Sequence, residues 1–138
     1  MHRIRCLGLL LVLGALTACA NQPAFMLDYQ RTGGFAGVQD HLTIFADGRA
    51  VLARRDVQGE FTVTADQMKQ IQAALSTLTA ARLEGDNVPQ DTCCDRYLYV
   101  IEYTENGQTH RIRTIDGNVP SRVQPLLLLL NALIETAA

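Results

Sequence analysis

At 138 residues the chain is long enough for one domain with its own core and too short for two of ordinary size. Its 12 Lys and Arg against 14 Asp and Glu leave a formal net charge of −2, and the longest basic run is Arg54-Arg55, which argues against a nucleic-acid partner. The first predicted element is a basic start, Arg3 and Arg5, followed by an apolar run from Cys6 to Leu16. That run is too short and too abruptly ended to cross a bilayer as a helix, so it reads as a secretory signal.

The end of the run, Leu16-Thr17-Ala18-Cys19, resembles the lipobox of bacterial lipoproteins, an aliphatic residue and two small ones before a cysteine that is acylated before cleavage. The resemblance implies a signal peptide over residues 1–18, an acylated tether over 19–25 beginning at lipidated Cys19, and one domain over 26–138. Removing residues 1–18 takes away Arg3 and Arg5 and no acidic residue, so the net charge moves to −4. Each buried CH₂ of an acyl chain contributes about 0.8 kcal/mol, so two or three chains hold a domain on the membrane. Ala20 after the cysteine, by the same resemblance, favours the outer membrane, with the domain facing the periplasm and a monomer expected.

Along the domain, "FMLDYQR" reads as a first strand ending at a glycine-rich stretch. "DHLTIFADGRAVLARR" reads as a hairpin turning at Asp47-Gly48. A helix opens at Thr64, with Gln67 as capping-box partner, and buries Met68, Ile71, Leu75 and Leu78. "EGDNVPQDTCCD" has the composition of the longest loop. "RYLYVIEYTENGQTHRIRT" forms a second hairpin at Asn106-Gly107; Tyr97, Tyr99, Ile101 and Tyr103 share one face of its first strand, and Leu98 and Val100 the other. A last helix starts near Pro125, and its Leu128 and Leu129 exceed what a half-exposed helix needs. Locally paired strands with segregated helices predict an α+β domain: an antiparallel sheet of about four or five strands with two helices packed on one face.

Catalytic chemistry finds little support. The only serines, Ser76 and Ser121, lie in or at the start of predicted helices, and no G-x-S-x-G occurs. His41 and His110 are expected on the sheet surface without metal-ligand spacing, and the carboxylates show no diagnostic pairing, so neither metal nor cofactor is expected. Cys93-Cys94 is the chemically odd pair. Adjacent Cα atoms lie about 3.8 Å apart, below the usual disulfide span, so a bond between them closes a strained eight-membered ring. A structural vicinal disulfide, two reduced or intermolecular thiols, and a redox centre all remain open.

In "RTGGFAGV", Arg31 to Val38, a phosphate cradle would need a helix to follow, and a strand follows instead. Gly33, Gly34 and Gly37 let the backbone take positive φ on either side of Phe35. As a connector the loop would tuck Phe35 into the core; as a contact loop it would present Phe35 and backbone to a partner. The expectation places Phe35 itself in the core, with the backbone of Gly33, Gly34 and Ala36 exposed. "YQRTGGFAGV" followed by "LTIFADGRAVL" resembles the R-[ST]-G-G-F-A-G-[IV] segment of emfourin-like proteins, small bacterial inhibitors of thermolysin-like zinc metalloproteases, and of related lipoproteins. Together with the lipobox, the resemblance implies a lipid-anchored, non-enzymatic binding module of the cell envelope of the protease-inhibitor kind, and the motif Gly33, Gly34, Phe35, Ala36 and Gly37 supplies its candidate binding residues. The alternative is a structural lipoprotein whose surplus leucines dock an envelope protein.

Overall fold

The computed structural model describes residues 25–90 and 93–137. The expected signal, the lipobox and Cys19 lie outside these residues. In chain order the elements are β1 (Phe25–Gly33), β2 (Val38–Phe45), β3 (Arg49–Arg54), β4 (Val57–Thr62), α1 (Ala65–Ala80), β5 (Gly85–Asn87), β6 (Tyr97–Glu105), β7 (Gln108–Ile115) and α2 (Gln124–Thr136). The strands form one sheet in the order β4-β3-β2-β1-β6-β7-β5.

The domain is α+β, but the sheet corrects the expectation of four or five antiparallel strands: it has seven and is mixed, because β5 runs parallel to β7. The two unexpected strands are both edges. Almost every residue of β4 is exposed, so Val-Gln-Gly-Glu-Phe-Thr carries no apolar alternation, and the turn into it uses Arg55 at φ 46° where a glycine would have announced it. β5 is three residues of turn-forming composition, held to its neighbour partly by an ion pair between Asp86 and Arg113 at 2.7 Å.

One sheet face is the core. Leu27 and Tyr29 of β1 stand opposite Ile44 and Leu42 of β2 on one side and opposite Tyr103 and Ile101 of β6 on the other, and all six are buried. The period of two therefore sends every second residue inward across the central strands. α1 contributes Met68, Ile71, Leu75 and Leu78 to this core, and its start is the expected capping box of Thr64 and Gln67. α2 contributes Leu126, Leu127, Leu130, Leu133 and Ile134, with Pro125 in its first turn. Leu128 points away and is 71% exposed. No helix among the described residues is long and apolar enough to cross a membrane.

His41 is on the open sheet face, hydrogen-bonded to Asp28, as expected of a surface residue. His110 is not on the surface: it is buried, stacked on Tyr103 and hydrogen-bonded to Glu84, because its register position opposite Tyr103 is an inward one.

Candidate functional site

The glycine-rich stretch is the tight turn between β1 and β2, closed by a hydrogen bond from Gly37 N–H to the Gly34 carbonyl at 3.0 Å. Phe35 sits at its tip and is 94% exposed, which overturns the expectation that it belongs to the core. A four-residue turn between paired strands leaves no path by which its apex could fold back onto the buried face.

Two contacts hold the turn from either side. From the β3–β4 connection, Arg55 donates through Nη2 to the carbonyls of Ala36 at 2.7 Å and Gly37 at 3.2 Å. From the segment before β6, the Arg96 carbonyl accepts the Gly34 N–H at 3.1 Å. Gly33 and Gly34 have φ of +108° and +68°, and a Cβ on Gly34 would stand 2.7 Å from the Tyr97 ring. The turn is therefore seated flat against Tyr97, with Phe35 projecting. Val57, 72% exposed, lines a depression beside it together with Ala36, Val38 and Arg55. The result is a small apolar end to the sheet edged by guanidinium groups.

Beneath the turn lies a polar layer. Asp40 is buried and receives Arg31 through Nη2 at 2.6 Å and Nε at 3.0 Å, while Nε of Arg54 approaches its other oxygen to 3.1 Å. Arg31 also donates to Asn131 Oδ1 at 3.2 Å, which accepts the Tyr29 hydroxyl at 2.8 Å, and Arg54 donates to the Ile134 carbonyl at 2.8 Å. Strands β1, β2 and β3 are thereby bolted to α2 directly below the turn. Burial weighs against the charge on Arg31, but the hydrogen bond and charge of Asp40 prevail and hold its guanidinium above the ordinary range. Among its residues no nucleophile is paired with a base. Among the described residues no group of three His, Cys, Asp or Glu side chains could hold a metal ion.

Burial, reinforced by the nearby Tyr99, pushes the Tyr29 phenol far above its usual value, and burial followed by the hydrogen bond to Asp116 does the same for Tyr99. Both rings must stay neutral in the fold. Their contribution is complete below the unfolded-state value of about 10 and is lost as the pH climbs above it, with a slope of up to about 1.4 kcal/mol per pH unit for each. Urea denaturation at pH values of about 9, 10 and 11 should show stability falling between the last two; a flat profile would contradict it.

The sequence singles out Gly33, Gly34, Phe35, Ala36 and Gly37 as the binding segment, and these residues form the end of β1 and the turn into β2. Sequence reasoning missed Arg55, Tyr97 and the Arg31–Asp40–Arg54 layer that hold them. Cys93 and Cys94 are exposed on the loop leading to Arg96 and so stand close behind the turn. The sequence profile of the Emfourin family matches residues 29–131, a span that takes in the turn, its supports and most of both helices. The chain belongs to the Emfourin family. No match was found among curated proteins. Membership agrees with the resemblance carried by the glycine motif and is consistent with a protease inhibitor-like domain. Within the Emfourin span, the turn at Phe35 joins an exposed aromatic side chain to a backbone held from both sides.

Proposed function

We propose that this protein is a lipid-anchored, non-enzymatic module of the cell envelope that inhibits a thermolysin-like metalloprotease through the turn Gly33–Gly37, with Phe35 as its anchor. The observation that carries the reading is the 94% exposure of Phe35 on a turn fixed by Arg55 and Arg96. A rigid turn loses little conformational freedom on binding, and aromatic side chains are enriched at protein interfaces. β1 runs from Phe25, where the proposed tether would end, to Gly33, nine residues at about 3.3 Å each, so the turn stands roughly 30 Å from the end of the strand that the tether would join.

The test is inhibition of thermolysin-like proteases by the purified protein, with Phe35→Ala beside it. Phe35→Ala should change the unfolding free energy by less than about 0.5 kcal/mol and weaken inhibition by about 30-fold or more, the loss of a hot spot worth about 2 kcal/mol. Absence of inhibition by the parent at micromolar concentration would reject the inhibitor reading. A second reading, docking of an envelope protein on the helices, is favoured by exposed Leu128 beside a groove lined by Ala73, Ala74, Pro125 and Leu129. If Leu128→Asp rather than Phe35→Ala removes inhibition with the fold intact, the contact lies on the helices.

A further inference from the structure

Cys93 and Cys94 lie outside every contact described for the turn, yet they are joined to it through the backbone. Their side chains are exposed, and the thiol of Cys94 is hydrogen-bonded with Cys93. Cys94 has φ of 83°, a left-handed conformation that a residue with a Cβ adopts at the cost of strain, and strain of this kind concentrates at sites with a task. The Cys94 carbonyl accepts the Arg96 N–H at 2.9 Å, and the Arg96 carbonyl accepts the Gly34 N–H at 3.1 Å. Two consecutive peptide hydrogen bonds thus run from the thiol pair to the base of the Phe35 turn.

We propose that Cys93 and Cys94 form a thiol–disulfide exchange site that takes a low-molecular-weight disulfide as oxidant, and that closing the bond stiffens the seat of the Phe35 turn. The thiolate of one cysteine attacks the external disulfide, forming a mixed disulfide and releasing one thiol. The second cysteine then attacks the protein sulfur of that mixed disulfide, closing the Cys93–Cys94 bond and releasing the second thiol. Two protein thiols are oxidised, one external disulfide is reduced to two thiols, and the two protons pass to the leaving thiolates. Because the two Cα atoms are about 3.8 Å apart, less than the span most disulfides require, the ring is strained and external thiol reopens it. The closed ring restricts the backbone at Cys94 and so the carbonyl of Arg96 on which Gly34 hangs. As regulation of the protease contact, the switch rests on the reading of Phe35 as the anchor.

The experiment equilibrates the full chain in mixtures of reduced and oxidised glutathione. Two quantities are read: the mass of the peptide carrying both cysteines, and hydrogen exchange at the Gly34 amide. The expected product is that peptide lighter by two hydrogen atoms with no glutathione retained, accompanied by Gly34 exchange slowed about threefold or more. A Cys93→Ser/Cys94→Ser variant should exchange at the reduced rate in every mixture. Stable glutathione adducts or intermolecular cross-links as the oxidised product would overturn the proposal. So would Gly34 exchange that is identical in both states, or a redox response that survives in the double variant. Protease inhibition measured on the same samples separates the two ideas: a redox response at Gly34 without inhibition in either state rejects the inhibitor reading alone, whereas inhibition with redox-invariant Gly34 exchange rejects the switch alone.

Discussion

Asp40→Ala should destabilise the protein by about 3–5 kcal/mol, the usual cost of removing one partner from a buried charge cluster. For a domain of this size that is a fall in Tm on the order of 10–20 °C. Asp40 is 6% exposed and pairs with both Arg31 and Arg54, so its loss leaves two guanidinium groups facing each other across β2 with the neutral oxygens of Asn131 and Ile134 for company. Two like charges in a half-buried layer then repel, and α2 loses its fixed seat over β1 and β3. Replacing all three charges together, as Arg31→Met, Asp40→Leu and Arg54→Met, removes the repulsion with the attraction and should cost much less than Asp40→Ala alone. Chemical denaturation of the two variants checks both statements. A triple variant weaker than the single one would show that the layer is worth more than the desolvation it incurs.

That layer was open to inspection in the sequence. Arg31 follows Leu27 and Tyr29 at intervals of two, Asp40 precedes Leu42 and Ile44, and Arg54 follows Ala50 and Leu52, so each charge ends an inward-facing row. Three charges on the buried side of adjacent strands must meet, and their signs allow it. Both helices were legible for the same reason, since caps and apolar spacing act within a few residues of the chain. β4 and β5 were hidden because an edge strand buries too little to impose a pattern. Phe35 misled because composition records that the residue is apolar, whereas its exposure depends on how few residues separate β1 from β2. The positions of Arg55 and Arg96 against the turn are products of strand order, and no short-range feature of the sequence encodes them.

Gly33→Ala carries the other large effect and reaches the turn directly. Gly33 has φ of +108°, outside the region open to residues with a side chain, and an added Cβ would stand 2.5 Å from the Arg96 carbonyl oxygen, a backbone atom that cannot swing aside. The conformational term alone costs on the order of 1–3 kcal/mol, and relieving the overlap moves the carbonyl that accepts the Gly34 N–H, so the total should reach about 3 kcal/mol or more. The other glycines give the scale. Gly37 has φ of +61° with nothing nearer than the end of Arg55 at 3.8 Å, so Gly37→Ala should cost only the conformational part, about 1 kcal/mol. Gly59 meets nothing within 4 Å and has no positive φ, so Gly59→Ala should be neutral or stabilising by up to about 1 kcal/mol. Urea unfolding of the three variants should therefore rank them Gly33, Gly37, Gly59 in order of decreasing loss. On the proposed reading of the turn as the protease contact, inhibition by the Gly33 variant should also fall at temperatures where it remains folded, because the displaced Arg96 carbonyl no longer fixes the base of the turn. Equal losses at Gly33 and Gly37 would mean that the Arg96 segment yields to the added methyl group, and the turn would then rest on Arg55 alone.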